Sequence, residues 1–245
     1  MGDVLEGNET LISHLTELRK RLLNIIGIVF VGFFVAWYFS NHIFDFIRAP
    51  IEPFLPEGGL VFTAPMDKFL AHIKVSLIAS IILSCPLWIY QVWLFVAPGL
   101  YKNEKKFGLS FITFGTILFL TGVSFVYYVV YPMAFNFLML FGGETDKPMI
   151  TIESYLSFFT TTTLVFGLTF EMPLILTILG MMGIIDAEFL SSKRRYAIVI
   201  LALMSAMFTP PDVISMILMM IPMLLLYELS VFMVRFFAKR SKIET

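Results

Sequence analysis

Cysteine is almost absent: Cys85 is the only one in the chain. It lies inside an apolar run, so neither an intrachain disulfide nor a thiolate metal site is available, and it reads as a small packing residue. Histidine is scarce too. His14, His42 and His72 are scattered, with no ligand spacing to Cys, Asp or Glu, which leaves no metal site to assign. Charged residues make up only 14% of the chain, against roughly 25% in soluble domains. The net charge is −1, so nothing overall draws the chain to nucleic acid. H-E-x-x-H, G-x-S-x-G and the phosphate-binding Gly-rich Lys motif are missing. An intramembrane aspartyl dyad would need two like acids inside apolar runs, and only Asp212, at a turn, comes near one. No residue therefore supports an enzyme, and no cofactor is implied.

What is abundant is apolar. Of the 245 residues 58% are hydrophobic, with 27 Phe and 15 Met, and the mean hydropathy is +0.88. The runs are long and uninterrupted, unlike the weak alternating signal of an outer-membrane barrel, so the expected class is an all-α integral membrane protein. The first run follows a polar, amphiphilic start and has no small-residue cleavage site, so it reads as a span and not as a cleavable leader.

In chain order, Glu9 to Arg21 carries Leu11, Ile12, Leu15 and Leu18 at helical steps and is expected as an amphipathic helix lying in the interface. Six spans follow, at about 22–39, 69–96, 108–138, 155–182, 196–208 and 213–234, forming one domain over 1–245. Ser40 to Lys68 holds Pro50, Pro53, Pro56 and Pro65 and should fold as a cap with short helices. Pro86 predicts a kink in the second span, and Tyr131-Pro132 a bend or break at the end of the third. The fifth run, Tyr196 to Phe208, has 13 residues, about 20 Å against a core of about 30 Å. It and the sixth are expected as a short pair that thins the membrane locally.

The charges set the topology. Arg19 to Arg21, Lys102, Lys105, Lys106, Lys193 to Arg195, Arg235, Lys239, Arg240 and Lys242 fall on one side of six spans; Arg48, Lys68, Lys74 and Lys147 fall on the other. The 13 against 4 place both termini in the cytoplasm and the cap outside. No inverted repeat is visible, because the three hairpins differ in span and loop length.

Three acids stand out. Glu171 lies close to the middle of the fourth run, where an acid costs about 2.5–3.5 kcal/mol to insert. It is either a functional group facing a cavity or partner, or a protonated carboxyl packing helices; the carbonyl freed by Pro173 is available to Thr160 to Thr163 or water. Glu17 and Glu104 both map to the cytoplasmic surface. Each alone is an ordinary interfacial acid, solvated or paired with Arg19, Lys20 or Lys105 for about 0–1 kcal/mol. Together, two carboxylates in fixed places suit two planar guanidinium forks.

Four stretches carry a resemblance: Ser13-His14-Leu15-Thr16-Glu17-Leu18-Arg19-Lys20-Arg21, Gln91 to Tyr101 followed by Glu104, Phe170-Glu171-Met172-Pro173, and Thr209-Pro210-Pro211-Asp212. In order and over essentially the whole chain, they resemble TatC, the multi-spanning core of the twin-arginine protein translocase. The resemblance implies an inner-membrane receptor for folded cargo bearing S-R-R-x-F-L-K type signal peptides, with Glu17 and Glu104 as acids of the twin-arginine site. Arg19, Phe95, Pro98 and, in the periplasmic cap, Pro50 match positions that matter in the family. Glu171 would line an intramembrane face where TatA- and TatB-type single-span subunits dock, with Asp212 near its far end. Self-association in the active complex and use of the proton-motive force are implied as well. Without the resemblance, the rivals are a proton- or ion-coupled secondary transporter with Glu171 as the coupling site, and a passive scaffold.

Overall fold

The computed structural model describes residues 2–55, 59–100, 108–140, 149–208 and 213–241. The described chain is nearly all helix, and its β-structure is the isolated bridge between Val61 and Thr151. In order come α1 (Gly2–Tyr38), α2 (Ser40–Arg48), α3 (Asp67–Leu83), α4 (Cys85–Val96), α5 (Gly108–Phe125), α6 (Tyr131–Leu140), α7 (Ile152–Phe170), α8 (Met172–Met181), α9 (Ala187–Ser192), α10 (Arg194–Phe208) and α11 (Val213–Ser241). Four segments are long and apolar enough to cross a membrane: Ser13–Tyr38, Gly108–Met139, Ile152–Met181 and Met219–Phe236. The bent pair α3 and α4 makes a fifth if it counts as one span.

Several expectations are corrected. The amphipathic start does not form a separate interface helix: α1 runs unbroken for 37 residues, because no proline precedes Pro50 and nothing else in the stretch stops a helix. Pro132 does not break the third apolar run. Its missing N–H would have served Tyr128, and the chain absorbs the defect one turn earlier in a π-turn, Val126–Val130, where Tyr131 N–H reaches back to Val126 O. The sixth helix is not short. α11 has 29 residues, since the charges after Val234 end the apolar run without ending the helix. α10 has 15, about 22 Å.

The expected kink near Pro86 is a bend of 59° at Ser84, whose carbonyl accepts from Leu87 N and Trp88 N at 2.9 and 3.1 Å. Glu171 interrupts the fourth run as a turn. The hydroxyls at that break are Thr169, donating to Val165 O, and Thr177, donating to Pro173 O at 2.6 Å. Thr160 and Thr163 serve elsewhere, on Leu156 O and Tyr131 Oη, too far back along α7 to reach the turn.

The larger core runs through α3, the π-turn, α7 and α11, around fully buried Tyr131. Its hydroxyl donates to Phe159 O at 2.7 Å and lies 2.7 Å from Thr163 Oγ1. A smaller core joins Cys85, Ile89, Trp93, Leu100, Phe111, Phe119, Leu174 and Ile178. Where α1 crosses α3 the contact is between small residues, as membrane helices favour: a Cβ on Gly32 would lie 3.3 Å from Ser80 Cβ. Ser76, Ser80 and Ser84, one turn apart, donate to His72 O, Leu77 O and Ser80 O of their own helix.

Beyond α2 the cap turns at Pro50, with Ile51 N donating to Arg48 O at 3.1 Å, and a 3₁₀ turn follows at Glu52–Phe54. Tyrosines hold it to the bundle: Tyr127 donates to Phe46 O at 2.8 Å and Tyr155 to Ile47 O. The bridge adds Val61 N to Ile150 O at 3.0 Å and Ile152 N to Val61 O at 2.8 Å.

Candidate functional site

His14, Glu17, Arg21 and Asn24 follow one another at steps of three and four, which puts them on one face of α1. That face meets α4. The His14 ring stacks on Phe95 with centroids 4.6 Å apart, and Asn24 Nδ2 donates to Gln91 Oε1 at 3.2 Å. Between these two contacts lies Glu17, its Oε1 accepting from Arg21 Nη2 at 3.1 Å. Among the described residues Arg21 takes the place of Arg19 and Lys20, because the i,i+4 step selects it while those two are exposed on other faces; Lys105, the third partner expected, lies outside the described residues. Arg21 Nε is buried and has no hydrogen-bond partner among the described residues. The pair is partly buried, and any further cation brought to Glu17 would have to compete with Arg21.

Phe95 sits in the last turn of α4, and a 3₁₀ turn, Ala97–Gly99, carries Pro98 exposed at its centre. A Cβ on Gly99 would come 2.6 Å from Met182 Cε, so the turn lies against the end of α8. Leu100 plugs into the smaller core, and Gly108 starts the return beneath Trp93. Residues 101–107, with Glu104, Lys102, Lys105 and Lys106, lie outside the described residues, as do Asp212 and the rest of 209–212.

Glu171 is 6% exposed, at the turn between α7 and α8. Gly115 on α5 makes room for it: a Cβ there would stand 3.3 Å from Glu171 Oε2, 3.1 Å from Leu174 Cδ2 and 3.2 Å from Ile89 Cγ2. Glu171 Oε1 is buried without a hydrogen-bond partner among the described residues. An acid so placed has an acceptor, or when protonated a donor, to offer a partner.

Sequence reasoning missed two features. His14 and Asn24 as contacts to α4 were signalled only by the 3-4-3 spacing of polar residues on α1. Arg194 grips Glu228 in a two-pronged pair, Nε to Oε1 and Nη2 to Oε2 both at 2.7 Å; the signal was an acid inside the sixth apolar run. Nearby, Asp186 caps α9 through Phe189 N at 2.6 Å, and Tyr227 donates to Leu190 O at 2.8 Å.

Residues 13–222 match the family described as Sec-independent protein translocase protein (TatC). The protein of that name from Desulforapulum autotrophicum is 40% identical over 229 residues, 93% of this chain and 85% of that one. Its namesake from Escherichia coli K12 is 40% identical over 239 residues, 97% and 93% of the two chains. A crystal structure of the twin arginine translocase receptor TatC superposes with a TM-score of 0.82 at 36% identity, covering 94% of this chain and 99% of that one. With its apolar helices, this chain is a multi-pass membrane protein of protein transport, and it belongs to the TatC family of Sec-independent protein translocase components.

Proposed function

We propose that the chain is the core receptor of a twin-arginine translocase: it recognises signal peptides at its cytoplasmic face and scaffolds TatA- and TatB-type subunits that move folded cargo, driven by the proton-motive force. It does so as one domain of six spans in the inner membrane, both termini cytoplasmic, with copies associating in the active complex. The observation that carries the reading is the clip of α1 onto α4, where His14 on Phe95 and Asn24 on Gln91 hold Glu17 beside the segment that leads through Pro98 toward Glu104. Glu17 and Glu104 take the two arginines, Arg19 lies close by on α1, and Phe95 and Pro98 give the peptide's apolar residues a wall. Glu171, with its free oxygen, and Asp212 form the partner-docking face, and Pro50 shapes the periplasmic cap. The neighbouring crystal structure is itself described as a twin arginine translocase receptor, which supports the assignment.

The test is binding of a labelled twin-arginine peptide to the protein in lipid nanodiscs. Charge-assisted bonds of about 1.5–3 kcal/mol each make a Lys-Lys peptide weaker by up to a few kcal/mol, because an ammonium does not reproduce the bidentate fork. Glu17→Ala and Glu104→Ala should erase that preference. Equal, weak binding throughout would remove the receptor reading. Export by a Glu171→Ala protein made in normal amounts should fall; undiminished export removes Glu171 from the docking face.

The buried, unpartnered Glu171 Oε1 also favours a second reading, a proton- or ion-coupled carrier. That reading requires solute or ion flux into liposomes holding this protein alone, dependent on Glu171 and indifferent to Glu17 and Glu104.

A further inference from the structure

At the end of the bundle away from Glu17, a cavity of about 420 Å³ opens between the cap and the first turns of α3. Arg48, Lys68 and His72 give it a basic wall, and Phe44, Leu60 and Ile152 an apolar one; no described lining residue is acidic. Only four of the 17 Lys and Arg residues are expected at this end, and two of them line the same hollow.

The basic groups are poorly used where they stand. Arg48 Nη2 has two acids near it, Asp45 at 3.5 Å and Glu52 at 3.8 Å, both well exposed; contacts so long and wet hold a guanidinium weakly. Arg48 Nε and His72 Nδ1 are buried with no hydrogen-bond partner among the described residues, a rare condition for buried polar atoms. Lys68 Nζ lies 4.5 Å over the Phe62 ring, which orients the ammonium and leaves its donors open. The nearest buried acid is occupied: Asp67 Oδ2 accepts from Thr63 N, Thr63 Oγ1 and Ala64 N at 2.8, 3.1 and 2.8 Å. Lys74, further along α3, is 3.9 Å from Glu153 and does not line the cavity.

We propose that this cavity binds a phosphate group, supplied by the headgroup of an anionic phospholipid. A guanidinium fork, an ammonium and an imidazole converging on one hollow suit a tetrahedral oxyanion. The lipid is favoured as the source because the apolar stretch of α3 begins here, which on the six-span reading puts the cavity level with the headgroups, and because the phenyl and aliphatic wall suits a glycerol backbone. Small rotations of Arg48 and His72 then give their orphaned nitrogens a partner. The site is independent of the signal-peptide reading, since it shares no residue with Glu17, Glu104 or Glu171.

Thermal unfolding of the purified protein is followed while dioctanoyl phosphatidylglycerol, dioctanoyl phosphatidylcholine or inorganic phosphate is added. Phosphatidylglycerol should raise the midpoint in a saturable way; phosphatidylcholine carries the same phosphodiester, but its trimethylammonium would face a wall of Arg48, Lys68 and His72 with no acid among the described lining residues to receive it, so it should not. An Arg48→Gln/Lys68→Gln protein should bind phosphatidylglycerol at least about tenfold more weakly, while Lys74→Gln should match the wild type. If inorganic phosphate alone saturates the effect, the oxyanion site stands with free phosphate as its ligand. Equal shifts with both lipids and none with phosphate in the wild-type protein would overturn the proposal without any variant. So would undiminished phosphatidylglycerol binding by the double variant.

Discussion

A single methyl group at position 108 tests how the loop that carries Glu104 is anchored. Gly108 opens α5, and a Cβ there would stand 2.5 Å from Trp93 Nε1, 2.9 Å from Cε2 and 3.2 Å from Cζ2. The indole is a rigid bicycle, 7% exposed and packed on Phe111 with centroids 4.8 Å apart, so it has no flexible end to give way. Overpacking of this kind costs about 1–3 kcal/mol. Alanine's helix propensity returns at most about 1 kcal/mol, and less at a first position. Gly108→Ala should therefore lose about 1–2 kcal/mol, or about 2–8 °C in unfolding temperature. Cys85 supplies the assay. It is the only cysteine, 1% exposed and part of the same core, so a thiol-reactive fluorophore labels it as that core opens. Trp93→Phe costs stability alone by leaving a cavity, yet it makes room for the methyl, so the double variant should exceed the additive expectation by about 0.5–3 kcal/mol. Gly108→Ala melting at or above the wild type, or two substitutions that simply add, would refute the anchoring argument.

Tyr131→Phe removes the hydroxyl's contacts with Phe159 O and Thr163 and should cost about 0.6–1.7 kcal/mol; no change in the thiol-labelling midpoint would show the network to be idle. Arg194 and Glu228, both about half exposed, should show a coupling of only about 0.2–1 kcal/mol in a double-mutant cycle, shrinking with salt. A coupling that survives high salt would place the pair in a drier setting than its exposure implies. Spin-label depth profiles across Tyr196 to Phe208 should report a locally thin bilayer, because about 22 Å of helix faces a core of about 30 Å; a full-thickness profile contradicts it.

The helical class was legible from the apolar runs alone, and the bend at Ser84 from Pro86. Pro132 marked a defect without saying how it is absorbed: the helical run goes on to Leu140, and the irregularity is the π-turn over Val126–Val130, one turn before the proline. The end of α11 was misplaced because charge marks the limit of the lipid-facing stretch and not of the backbone hydrogen bonding. Glu171 announced itself as an acid in an apolar run. The room that holds it did not, for that depends on Gly115 meeting it across two helices. His14 and Phe95 are 81 positions apart, and no local pattern ties them; the 3-4-3 spacing on α1 gives the face but not its partner.

The serine row on α3 bears on how the bundle assembles. Each of its hydroxyls is already satisfied within its own helix, so α3 reaches the membrane with nothing polar on that face waiting for a mate. α1 can be inserted earlier and stand alone in lipid, and the two close by shape when the second arrives, with no bond to exchange and no order of events to enforce. A seam of this sort tolerates delay during synthesis, and it favours a small residue at the Gly32 position, where even a methyl would press on Ser80 at 3.3 Å.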